Sequence, residues 1–300
     1  MDLYKLMNDS WFLTVNRKGK NKIQINSTEI YQSLYLEIKQ RLELDISVVQ
    51  VLEWMVNMVV VAYENYQRQH NTKIAQLTTG ALNNSKGRWH EFIVTGFLAK
   101  VARNFYLEYK IPLITFRLPS SRDETQPEFF KIFQTQEFQT SYPLENIETI
   151  KKRIFFSSPD YIISVIEDEQ LFQSIQSYIE LQAQQPEYLG VEIYDLLKGR
   201  LKAREVKAFI SVKVSNRPDR RYQALYETAM IKAISYTSGQ MWKYYMMTAE
   251  DFSNSDKRIF SQGIAPHGIA LNQDLKSVDN MYSAYNQQDL INLVEDAIFL

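Results

Sequence analysis

Two rhythms of apolar and polar positions take turns along this chain. Residues 27–43 and 45–70 carry apolar side chains at the three-to-four spacing of amphipathic helices, the second strongly apolar, with Asp45 or Ser47 as its cap. Residues 72–86 are polar and hold Gly80 and Asn83-Asn84-Ser85, which reads as a loop. A helix follows from about Gly87 to Tyr109, with Trp89, Phe92, Ile93, Phe97, Leu98 and Val101 at helical spacing. Ile111–Leu118 is a short strand, and the Pro-, Glu- and Gln-rich residues 119–153 form an irregular excursion with short helical pieces. Tyr161–Ile166 is an apolar strand of the kind found in mid-sheet.

Beyond it, residues 168–202 are mostly helical, and Val206–Val214 alternates as a half-buried strand does. Residues 218–236 form a helix that opens on Pro218, a favourable first helical position. Trp242–Met247 and Gly268–Leu271 read as two more strands, and Asp289–Leu300 closes the chain as an amphipathic helix. The class is therefore α/β, a central mixed β-sheet flanked by helices. We expect one compact domain over 1–300, with its core at about 80–272 and a helical N-terminal region at 27–70.

Composition narrows the chemistry by exclusion. A hydrophobic share of 45% with 23% charged residues is that of a folded globular chain and argues against intrinsic disorder. The absence of cysteine removes disulfides, thiolate metal sites and thiol nucleophiles. Three histidines, His70, His90 and His267, include no HxxxH pair, so any metal should be held by carboxylates. His90 reads as a packing or solvated residue and His267, after Pro266, as a turn residue. Neither GxGxxG nor GxxxxGK[ST] nor GxSxG occurs, which removes the usual dinucleotide, P-loop and serine-hydrolase readings. The first residues lack the basic-then-apolar layout of a signal peptide, and the apolar stretch 48–63 is broken by Gln50, Glu53 and Asn57. We expect a cytoplasmic protein with no membrane segment.

Charge changes the picture through its distribution. The net charge is −1, yet residues 198–221 hold nine basic side chains against Glu205 and Asp219, a local +7. Such a run is either a solvated helix face or a footprint for phosphates. The clusters at Arg17-Lys18, Lys20, Lys22 and at Lys151-Lys152-Arg153 could extend it.

Three short segments within and near this run become informative together. Ser158-Pro159-Asp160 opens the apolar strand, Ser211-Val212-Lys213 ends the strand over 206–214, and Glu227 lies two to three turns into the next helix. Period-2 alternation puts Ser211 and Lys213 on one face, so the ammonium reaches Asp160 if the two strands are neighbours. A helix packed back on the sheet can bring Glu227 to the same point. Two carboxylates and a lysine at a strand edge suit a hard cation such as Mg²⁺, which takes a few carboxylate oxygens, waters and substrate phosphate oxygens. Taken singly, Ser-Pro-Asp is usually a turn and a strand lysine an edge guard.

The order Pro159-Asp160, Ser211-Val212-Lys213, Glu227 resembles the permuted PD-(D/E)XK active site of type II restriction endonucleases that cut targets with a CCGG core. In the common pattern an acid stands two residues before the lysine. Here that place is Ser211, and the branch takes its second carboxylate from the following helix, at Glu227. Arg217-Pro218-Asp219-Arg220-Arg221 is similar to the recognition motif of the same enzymes, and Gly80-Ala81 through Trp89-His90-Glu91 to a segment that ends in a further active-site glutamate. These motifs span residues 80–227, about half the chain.

The resemblance implies a restriction-endonuclease-like core and a Mg²⁺-dependent homodimer or dimer of dimers acting on palindromic double-stranded DNA. It implies metal binding by Asp160, Glu227 and Glu91, with Lys213 placing or deprotonating the attacking water. Arg217 and Arg220 would bind guanines and Asp219 the cytosines, in keeping with the major-groove chemistry of arginine forks and carboxylates. Arg221 and Ser211 are left as phosphate contacts or supports. Other readings stay open: an interrupted CCNGG core, a repair or recombination nuclease that reads DNA structure, or a non-catalytic sequence-specific DNA-binding protein.

Overall fold

A computed structural model describes residues 9–17, 20–70, 77–119, 128–138, 159–187, 192–215 and 221–299. The chain divides into two compact units, residues 1–94 and 95–300. The first holds an antiparallel hairpin, β1 (Phe12–Arg17) with β2 (Lys20–Ile25), and the helices Ser27–Glu43 and Val48–His70. The register pairs Arg17 with Lys20, which leaves two residues to connect the strands. Six residues on each side carry too little periodic signal to mark this hairpin in the sequence. Asn26 caps the first helix, its side chain accepting from the Glu29 N–H, and Trp89 donates its indole N–H to Ser27 O at 2.9 Å.

The helix expected from Gly87 begins earlier, at Thr79, and runs unbroken to Tyr109. Polar composition suggested a loop at 79–86, but Thr78 caps the helix by accepting from the Ala81 N–H at 3.2 Å. Within that turn Ser85 is buried and bonded to Ser27 at 3.0 Å.

The second unit is built on a five-stranded mixed sheet of order β3-β4-β5-β6-β7, where β3 is Leu113–Arg117, β4 Tyr161–Val165, β5 Val206–Lys213, β6 Lys243–Thr248 and β7 Asn280–Ser283. The β3/β4 and β4/β5 pairs are antiparallel, and β5/β6 and β6/β7 parallel. Helices Glu169–Gln184, Arg221–Thr237 and Gln287–Phe299 accompany the sheet. Alternation suggested a half-buried β5, yet Ala208 to Val212 are all buried, as expected for a central strand covered on both faces. Phe129, Phe133, Phe209 and Trp242 form one ring cluster, and Trp242 donates its indole N–H to Ala203 O at 2.9 Å.

Residues 268–271, expected as a strand, lie in the short helix Pro266–Leu271, which also takes in His267, expected in a turn. Proline at its first position starts it and Asn272 ends it in the left-handed conformation. The last strand of the sheet is instead Asn280–Ser283, too short and too exposed to announce itself by pattern. Among the described residues no helix is long and apolar enough to cross a membrane.

Candidate active site

Strand order makes β4 and β5 neighbours, and the pairing of Tyr161 with Ile210 sets Asp160 beside Ser211. The Asp160 backbone is tied on both sides: its N–H donates to Ile210 O at 3.0 Å and its carbonyl accepts from Leu118 N–H at 3.1 Å. Its carboxylate turns to β5, where Oδ2 accepts from the Val212 N–H at 2.7 Å and from Lys213 Nζ at 2.8 Å. Both side chains keep partial access to solvent, 22% for Asp160 and 26% for Lys213.

Glu227 reaches this face from the helix Arg221–Thr237, where it is buried at 4% exposure. A buried carboxylate needs donors to offset lost hydration. One comes from Tyr244 Oη, which donates to Glu227 Oε1 at 2.5 Å. Tyr244 is paired in register with Phe209, which puts it on the same face as Ser211. Burial, and next the Glu227 charge, push the Tyr244 phenol well above its usual value. The cluster thus joins Asp160, Ser211, Lys213, Glu227 and Tyr244. Tyr244 was missed from sequence because it sits in an aromatic run whose simplest reading is core.

The helix bearing Glu227 is held at three heights. At its first residue, Arg221 Nε donates to Asp256 Oδ1 at 2.5 Å, and Asp256 also completes the capping box of the helix Asn254–Gln262. Thr228 Oγ1 donates to Ser277 O at 2.5 Å. Further on, Lys232 Nζ donates to Asp279 Oδ2, which also accepts from the Tyr244 N–H at 2.6 Å. Burial lowers the Lys232 pKa, and Asp279 opposes that shift.

Burial works to raise the Asp256 pKa, but its bonds from Ser253 and Arg221 outweigh this and hold it below its ordinary 3.8. A carboxyl depressed by folding stabilises above its unfolded value, and the gain is lost as pH falls through the folded value. Asp256→Asn is therefore expected to cost about 1–2 kcal/mol at pH 7. The gap between the two melting curves should begin to close as pH falls below about 4 and vanish below the depressed folded value. A gap that stays constant with pH would assign the loss to packing.

The basic run is partly spoken for locally. Lys198 pairs with Asp195, Lys202 and Arg204 with Glu167, Lys213 with Asp160 and Arg221 with Asp256. Arg204 and then Lys202 hold Glu167 down to about 2. The described part of the run therefore lies on strand, turn and helix and is partly ion-paired, so it is not one bare helix face. Arg217, Asp219 and Arg220 lie outside the described residues. Glu91 belongs to the first unit, where Arg88 is 3.6 Å from its Oε2.

The donor set fits a hard divalent cation. Among the described residues both side-chain hydrogen bonds of Asp160 fall on Oδ2, which leaves Oδ1 for a ligand, and Glu227 adds a second carboxylate on the same face. Among the described residues no three His, Asp or Glu side chains gather as a ready-made cage. Two carboxylates suit Mg²⁺, which keeps several waters and borrows phosphate oxygens from its substrate.

A family model described as "Cfr10I/Bse634I restriction endonuclease" matches residues 13–299. The chain belongs to this family. The Cfr10I/Bse634I enzymes are type II restriction endonucleases, that is, site-specific deoxyribonucleases. The type II restriction enzyme Cfr10I of Citrobacter freundii is 25% identical over 235 residues, covering 74% of this chain and 77% of that protein. The solved structure of Bse634I restriction endonuclease covers 98% of this chain and 99% of its own at 20% identity, with a TM-score of 0.70. A crystal structure of the Type IIF enzyme Bse634I with cognate DNA matches equally well at 21% identity, and both share the fold.

Proposed function

We propose that this chain is a Mg²⁺-dependent type II restriction endonuclease that cuts palindromic double-stranded DNA with a CCGG core, as a homodimer or dimer of dimers. One observation carries the catalytic part. Lys213 and Asp160 meet at 2.8 Å on the sheet face to which the next helix delivers Glu227. The permuted order of Pro159-Asp160, Ser211-Val212-Lys213 and Glu227 supports the same reading, as does the solved complex of Bse634I with its DNA.

Asp160 and Glu227 would hold the cation in this reading, and the motif resemblance adds Glu91 as a further active-site carboxylate. When bound, the cation neutralises charge on the scissile phosphate and makes a water more acidic. Lys213, steadied by Asp160 Oδ2, points its ammonium at that water and orients it for in-line attack. Ser211 supports the cluster from β5. Arg217 and Arg220 bind guanines through O6 and N7, and Asp219 accepts from cytosine N4 amino groups. Arg221 steadies the base of this motif through Asp256.

The test is digestion of plasmid or phage DNA by the purified protein, with Mg²⁺ and with EDTA, followed by sequencing of fragment ends. The expected result is discrete Mg²⁺-dependent fragments ending at CCGG. Ends at CCNGG would keep the chemistry and change the target. Ragged ends, or cutting of branched DNA alone, would sink the assignment.

A further inference from the structure

We propose that Tyr244 is a positioning residue for Glu227, and that its hydroxyl sets the place from which this glutamate takes up a divalent cation. The inference rests on the reading of Glu227 as a metal ligand. Its basis is the replacement of a strand carboxylate by one from a helix. A ligand at position 211 would ride on β5, whose backbone is fixed by neighbours on both sides. Glu227 rides instead on a helix, at the end of a side chain with three rotatable bonds, and needs an independent anchor.

Tyr244 supplies that anchor from the sheet. Its N–H is tied to Asp279, which Lys232 of the Glu227 helix also engages, so the tyrosine backbone and the helix share one support. Its ring is fully buried, and its phenol carries a single proton. That proton goes to Glu227 Oε1 at 2.5 Å. This bond carries the fixed position of β6, itself paired in register with β5, to the helix carboxylate. Partners that hold a metal ligand from behind usually change metal affinity or activity 10- to 100-fold when removed.

The experiment compares wild type, Tyr244→Phe, Glu227→Gln and the double variant, all full-length. Mn²⁺ binding is followed by the EPR signal of the unbound ion in the presence of duplex DNA, and single-turnover cleavage is measured alongside. Tyr244→Phe should weaken Mn²⁺ binding and slow cleavage by roughly 10-fold or more. The double variant should be no worse than Glu227→Gln, because both changes act on one ligand. Wild-type Mn²⁺ affinity in a folded Tyr244→Phe protein overturns the proposal. So does a loss that adds fully to that of Glu227→Gln, which marks a structural role. Wild-type behaviour of Glu227→Gln itself removes the underlying metal-ligand reading and this inference with it. Should Tyr244→Phe fail to fold, Asp279→Asn takes its place, since it loosens the support that the Tyr244 backbone shares with the Glu227 helix. A smaller loss of Mn²⁺ affinity is then expected, and unchanged affinity rejects the proposal.

Discussion

Replacing Asp160 by alanine is expected to abolish DNA cleavage while leaving sequence-specific binding in place. The carboxylate does two things at once. Its Oδ2 holds Lys213 and the Val212 N–H, and its Oδ1 is open to a cation. In the proposed mechanism the alanine variant loses a metal ligand and frees the lysine that orients the water. Metal-assisted charge stabilisation is worth several kcal/mol, so a rate loss on the order of 10³-fold or more is expected. The backbone ties of Asp160 to Ile210 and Leu118 use no side-chain atoms, so β4 should keep its place. Single-turnover cleavage and a gel-shift titration on the same duplex decide the matter. Cleavage that persists in the variant would remove the proposed mechanism.

Arg217→Ala should change which DNA is chosen more than how tightly DNA is held. A bidentate arginine on guanine O6 and N7 contributes about 1–3 kcal/mol of discrimination, up to roughly a 100-fold preference. The comparison is binding to the site found by digestion and to a site with one G·C pair replaced. Wild type should separate the two, and the variant should largely lose that separation. Uniform weakening on both duplexes, with a shallower salt dependence, would instead make Arg217 a phosphate contact.

These two residues mark different degrees of legibility. Asp160 could be placed from sequence because proline precedes it and an apolar strand follows, which puts it at the strand's end. Ser211 and Lys213 could be placed on one face because the side chains of a strand alternate. The same logic failed where local signals compete. Thr78 outweighed the polar residues that follow it and began a helix where a loop was expected. Pro266 turned an apolar stretch into helix. Edge strand β7 and the Lys18-Gly19 hairpin were passed over because four or six residues carry little periodic signal.

By itself, then, the sequence determined the α/β class, the order of the central elements and the face on which Ser211 and Lys213 stand. All of these follow from spacings of a few residues. Only the tertiary structure decided that β4 lies beside β5, that Asp160 and Lys213 are an ion pair, and that Tyr244 holds Glu227. It also decided that Glu167 pairs with Lys202 and Arg204, and Asp256 with Arg221. The physical reason is range. Periodicity fixes the direction of a side chain relative to its own strand or helix, whereas its partner depends on strand order and on where the crossover helix comes to rest. The helix between β5 and β6 joins Ser211 to a tyrosine that lies far along the chain yet on the adjacent strand.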